Sequence, residues 1–224
     1  MKARRVLSFS IALVVALTTA CAGRDDRATQ RDPTVSLNCC RLQPGTGKQK
    51  AIVQTASRLV GARTIQTGNR FIAYDCAGVT RAIYLSQGID LYEGSEQKAH
   101  ANGVRLIHEH VRAYGRIHRG PTVRPGDLVF FDNTWDFNQD GVLNDPLTHV
   151  GIVESVEQNG TIVFISRVSN AIERYRMNLR EPNAIRASNG RLLNDSLRRK
   201  KAGDPLATGY LTGQLFAGFG TLDE

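Results

Sequence analysis

At Pro125-Gly126 the hydrophobic period of this chain changes, and that change limits the possible folds more than any other feature. Upstream, Ile52, Ala56, Leu59 and Val60 recur at helical spacing and predict an amphipathic helix closing near Gly61. Asp75 supplies a cap for a second helix running to about Gln87, with Gly88 as its stop. Ser95 opens a third, with Val104, Ile107, Val111 and Tyr114 on one face and Gly103 weakening its middle. Downstream, "DLVFF", "HVGIVESV" and "TIVFISRVS" are β-branched or aromatic runs, and Asn159-Gly160 between the last two signals a hairpin. "RYRMNL" reads as a further strand, and "YLTGQLFAGFG" as a final helix or an edge packed on the core. Helices first and an antiparallel sheet afterwards predict an α+β domain.

The N-terminal residues stand apart from this pattern. "MKARR" is basic and "VLSFSIALVVALTTA" is apolar but too short to span a membrane, so residues 1–20 read as a secretory signal. It ends in Leu17-Thr18-Thr19-Ala20-Cys21, which resembles a bacterial lipobox and makes Cys21 the expected lipidation site. Ala22 follows it, which in a double-membrane bacterium implies the outer membrane. Loss of residues 1–20 takes Lys2, Arg4 and Arg5 and no acid, leaving +5 of the formal +8, a charge suited to anionic envelope polymers. Residues 21–48 lack periodicity and are expected to be a tether, leaving 49–224 as a single domain. Cys39 and Cys40 lie in that tether. As adjacent residues they are expected to pair with another thiol or stay free rather than bond to each other. Arg198-Arg199-Lys200-Lys201 has no interleaved aromatics and reads as a solvated loop, with no sign of a nucleic-acid partner.

Three stretches carry chemistry: "YDCAGVTRAIY", "RPGDLVFFD" and "THVGIVE". Cys76 falls in the first turn of a helix, where unpaired N–H groups and the dipole favour a thiolate and offer an oxyanion site. His149 opens a strand and is a candidate base for it. On residues alone, Cys76 reads equally as a small buried hydrophobe. The three motifs in this order resemble the NlpC-type bacterial cell-wall cysteine peptidases, a branch of the papain-like superfold. The resemblance runs from about Gln49 to Leu179. It implies Cys76 as nucleophile, His149 as base, and a polar residue on the next strand to orient the imidazole. That position aligns with Ser166, where the family often has His, and a serine there is expected to accept from Nδ1–H. Ala77 stands where the family usually has Ser. Tyr74 and Asp75 are the positions implied to meet the substrate, Tyr74 having a core-packed aromatic as its alternative.

Asp136-Phe137-Asn138-Gln139-Asp140-Gly141-Val142 resembles the first half of a calcium loop. Asp136, Asn138, Asp140 and Asp145 would offer side chains and Val142 its carbonyl, but Leu147 occupies the place of the expected bidentate Glu. The alternative is an Asn/Asp/Gly-rich turn. No other cofactor is expected. His100, His108, His110 and His118 do not form a metal-binding pattern.

The resulting expectation is a lipid-anchored peptidoglycan hydrolase. It would be an endopeptidase cutting a γ-D-glutamyl bond to a diamino acid in the stem peptide through a thioester. The alternatives are an amidase of the same superfold, cutting between muramyl sugar and peptide, or a non-catalytic wall- or partner-binding lipoprotein.

Overall fold

The Pro125-Gly126 turn is organised by a buried carboxylate. Asp127 accepts from the Arg124 N–H at 2.7 Å and from Gln49 Nε2 at 3.4 Å, so one side chain closes the turn and holds the first helix against the sheet. The Tyr84 hydroxyl, from the second helix, donates to the Gly126 carbonyl. In the computed structural model, which describes residues 39–66, 71–94 and 102–222, this turn is where the helical half meets the β half.

The helices are α1 (Gly47–Arg58), α2 (Cys76–Leu85) and α3 (Gly103–Tyr114), followed late in the chain by a single turn, α4 (Thr212–Leu215). α1 begins with a capping box, Thr46 accepting from Gln49 N–H and Gln49 Oε1 accepting from Thr46 N–H. Gly103 does not interrupt α3 but begins it, capped by Asn102; the expected opening at Ser95 lies outside the described residues. A Cβ at Gly103 would meet Ala77 and Tyr92, so glycine lets the start of α3 abut the start of α2.

The strands are β1 (Arg41–Leu42), β2 (Gly115–His118), β3 (Thr122–Val123), β4 (Leu128–Phe131), β5 (His149–Val156), β6 (Ile162–Val168), β7 (Ala171–Met177) and β8 (Phe216–Leu222). Six of them form one antiparallel sheet in the order β2-β8-β4-β5-β6-β7. Both of its faces are buried. Leu128, Phe130, Val150, Ile152 and Ile165 pack on the helices, while Val129, Phe131, Val153 and Phe164 meet the C-terminal segment through Leu197 and Leu215. This explains why "LVFF" is continuously apolar rather than alternating. The α+β expectation therefore holds in element type and order.

Four details differ from the sequence reading. β8 is an inner strand rather than an edge; the edges are β7 and β2, whose Gly115 fits against the Thr221 carbonyl where a side chain would not. Residues 39–48, expected within the tether, belong to the fold, with β1 pairing in parallel with β3 and Gly47 and Lys48 opening α1. Cys39 and Cys40 are bonded to each other, both buried in the second core. Arg198 is not solvated like its basic neighbours: it pairs with Asp204 at 3.3 Å and donates to the Asn133 carbonyl at 2.7 Å. The expected leader and Cys21 lie outside the described residues.

Candidate functional site

Asp75 caps α2 through a bond from the Gly78 N–H to its Oδ1 at 2.7 Å, which places Cys76 as the first helical residue. The preceding chain runs so close that a Cβ on Gly78 would collide with the Ala73 carbonyl oxygen. Backbone N–H groups of Val150, Ala77 and Cys76 face the sulfur. They favour a thiolate, as expected, but they do not prevail. Burial first, and then the Asp75 carboxylate, push the Cys76 thiol up to about 11. The lowered pKa expected from the helix start is thus not realised, because the same residue that caps the helix sets a negative charge beside the thiol.

His149 is fixed by residues distant in sequence. Two residues before it, Leu147 holds a left-handed φ of 56°. Its N–H donates to Asp132 Oδ1 at 2.8 Å, and its carbonyl accepts from Asn102 Nδ2 at 2.9 Å. Asn102 both caps α3 and ties it to this loop, a role that a lone Asn before a glycine did not reveal. The His149 ring lies beside Phe131, with centroids 6.0 Å apart, and it is buried. Burial, and secondarily Arg167, push it down to about 4.

Ser166 meets this ring as expected, but at the other nitrogen. Its Oγ lies 2.8 Å from His149 Nε2 and donates to the Val150 carbonyl at 2.7 Å. A hydroxyl has one hydrogen. With that hydrogen on Val150, Ser166 must accept from Nε2–H, which leaves Nδ1 as the unprotonated ring nitrogen. The arrangement satisfies all three groups and sets the tautomer. A serine is therefore sufficient to orient a neutral imidazole, although it brings no charge to stabilise the protonated one.

Cys76 and His149 line one cleft of about 500 Å³, together with Asp75, Asn102, Trp135, Phe137 and Arg167. The Val150 N–H, one residue along β5 from His149, is among the groups that favour the Cys76 thiolate. At neutral pH the thiol and imidazole are both uncharged, a pair suited to proton transfer as the sulfur attacks rather than to a standing ion pair. A larger cavity beside Arg176, Arg186 and Arg191 contains neither residue. Tyr74, one of the implied substrate positions, is not among the residues lining the cleft. Its hydroxyl donates to the Ala62 carbonyl at 2.6 Å, and its ring carries the Arg167 guanidinium at 5.0 Å. This is the core-packed alternative, with the added function of supporting an arginine that does reach the cleft. Trp135 and Phe137 stand partly exposed at the rim in edge contact, 5.1 Å between centroids. Nothing in the sequence linked these aromatics to Cys76, since only the folded β4–β5 loop brings them there.

The model of the NlpC/P60 family matches residues 61–207, a span holding Cys76, His149 and Ser166. The chain belongs to the NlpC/P60 family. Membership brings with it cell-wall peptidase or hydrolase chemistry. No curated protein matches the chain. Within this NlpC/P60 domain the helices cover one face of the sheet, and the cleft opens where α2, α3 and β5 all begin.

Proposed function

We propose that this chain is a cysteine endopeptidase acting on the stem peptide of peptidoglycan. The observation that carries this reading is the hydrogen-bond chain from His149 Nε2 through Ser166 to the Val150 carbonyl, which leaves Nδ1 as the base in the cleft that Cys76 lines. The Cys76 sulfur attacks the scissile carbonyl, and its proton passes to His149 Nδ1 as the S–C bond forms. Backbone N–H groups at the start of α2 stabilise the oxyanion. His149 then protonates the leaving amine, the C–N bond breaks, and a thioester remains. Water, deprotonated by the same imidazole, releases the acid and restores the thiol. Arg167 offers a cation to the stem-peptide carboxylates and the Trp135–Phe137 rim offers an apolar wall, while the resemblance to the NlpC-type peptidases is what implies a γ-D-glutamyl bond to a diamino acid as the bond cut. The N-terminal leader supports export and attachment to the envelope by acylation of Cys21, on the periplasmic side of an outer membrane where the cell has one. A Cys21→Ala chain is expected to leave the membrane fraction and to lose labelled palmitate.

The test is digestion of purified sacculi. Wild type is expected to release muropeptides with new free amino groups on the diamino acid, and Cys76→Ala to release none. Products with free muramyl lactyl groups instead would assign the amidase reading. A second reading, of a wall-binding lipoprotein without catalysis, is favoured by one observation, the high thiol pKa beside a low imidazole pKa. Equal binding and no release from either protein would establish it.

A further inference from the structure

The β4–β5 loop contains polar chemistry that hydrolysis does not use. Asp145 is only 4% exposed. Its Oδ1 accepts from the Asn138 N–H at 3.4 Å, so the carboxylate turns into the loop, yet its buried Oδ2 has no hydrogen-bond partner among the described residues. Asp136 repeats the arrangement: Oδ2 accepts from the Gly141 N–H at 3.0 Å, and the buried Oδ1 has no partner among the described residues. An anionic oxygen removed from water with no donor is costly, and a cation removes that cost. Two such oxygens sit in one ten-residue loop whose side-chain oxygens recur at every second position before a glycine.

We propose that residues 136–145 bind calcium. Asp136 Oδ1 and Asp145 Oδ2 are the anchoring ligands, joined by side-chain oxygens of Asn138 and Asp140 and the carbonyl of Val142. Among the described residues no three His, Cys, Asp or Glu side chains already converge as a metal cluster. Asp140 is the group that must move. Its Oδ2 now accepts from the side-chain amides of Asn138 and Asn144, at 2.9 and 2.8 Å, and its Oδ1 from the Val142 N–H at 2.8 Å. It is exposed and free to exchange the two amide bonds for the ion. Oxygen ligands on an adaptable loop suit calcium, whereas magnesium demands a tighter octahedron and sheds water reluctantly. The ion would stiffen the loop that bears the rim aromatics. Asp145 also exchanges backbone and side-chain bonds with Asn133, at 2.8 Å each, and the Trp135 indole donates to the Thr148 carbonyl at 3.4 Å, next to His149.

Trp135 is the chain's only tryptophan and lies beside Asp136, so its indole reports on this loop alone. The full chain, stripped with chelator, is titrated with terbium while the indole is excited. Saturable sensitised emission is expected, displaced by calcium and not by equimolar magnesium. Asp145→Asn, an isosteric change, weakens the response roughly tenfold or more, as does Asp140→Asn at an exposed position that does not threaten folding. Calcium at tenfold excess over its dissociation constant raises the melting temperature by roughly 3–6 °C. Absence of sensitised emission together with superposable melts at millimolar calcium overturns the proposal, and so does an emission signal unchanged in both variants.

Discussion

The two halves of the cleft are built in different ways. Cys76 is held by its immediate neighbours in sequence: Asp75 caps, Gly78 admits the preceding chain, and Ala77 packs against the start of α3. His149 is held by residues from 17 positions on either side to 47 positions upstream: Asp132 and Asn102 clamp Leu147, and Ser166 orients the ring. The first half is a local motif that the fold accommodates. The second exists only once β4, β5, β6 and α3 have come together. Damage to the first should therefore appear mainly as lost stability around one helix, and damage to the second as lost alignment of one side chain.

The largest expected effect comes from breaking the local half. Gly78→Ala drives a methyl group into the Ala73 carbonyl, and backbone cannot yield as a flexible side chain does. A loss of about 3 kcal/mol or more is expected, read as a fall in the urea midpoint at unchanged slope. A midpoint within experimental error of wild type would show that the approach to α2 is looser than described.

The distant half is tested by Ser166→Ala. It strands Nε2–H and the Val150 carbonyl in a buried site, costing about 1–3 kcal/mol of stability. It also releases the tautomer, so hydrolysis should fall by roughly 10–100-fold in kcat while KM changes little. Ser166→Thr, which keeps the hydroxyl, should retain most of the activity. Equal activity in all three proteins would remove Ser166 from the site.

Acid offers a second way to separate the halves. His149 and His118, both pushed down to about 4 by burial, ordinarily titrate at 6.5, so the unfolded chain takes up their protons first. The stability they provide is complete above pH 6.5 and is lost as the pH falls towards 4. Asp127, pushed up to about 6 by burial, acts in the opposite sense, gaining stability for the fold as the pH falls from 6 towards 3.8. His108, also lowered by burial, acts with these histidines, and Asp195, also raised by burial, acts with Asp127; with three groups against two, the unfolding midpoint is expected to drop between pH 6.5 and 4.5, and His149→Gln should flatten the drop.

The same contrast explains what could be read from the sequence. The helix at Cys76, its cap, the hairpin at Asn159-Gly160 and the β5 boundaries all follow from neighbouring residues, and all are present. Ser166 was locatable by strand register, yet the ring nitrogen it meets depends on where the Val150 carbonyl points, a fact of the folded sheet. The inner position of β8 was hidden because strand order is a property of topology rather than of composition. Trp135, Phe137, Asn102 and Arg167 carry no local signature of a cleft; they belong to it only through contacts made across the fold.

The smallest structural change gives the sharpest test of the local half, because Asp75 does two opposed things. It caps α2, which aids folding, and its charge raises the thiol pKa, which disfavours the thiolate. Asp75→Asn keeps an oxygen for the Gly78 N–H, so stability should change by less than about 0.5 kcal/mol. The charge is gone, however, and the Cys76 thiol should titrate below its present value of about 11, as followed by thiolate absorbance and by the pH dependence of alkylation. Burial, the larger cause, remains, so the pKa should stay above that of a free cysteine. If hydrolysis at neutral pH nonetheless falls in Asp75→Asn, the carboxylate must also engage the substrate, since neither the cap nor the thiol would account for the loss. If hydrolysis rises, Asp75 serves the helix alone and the enzyme tolerates its charge as the cost of that cap.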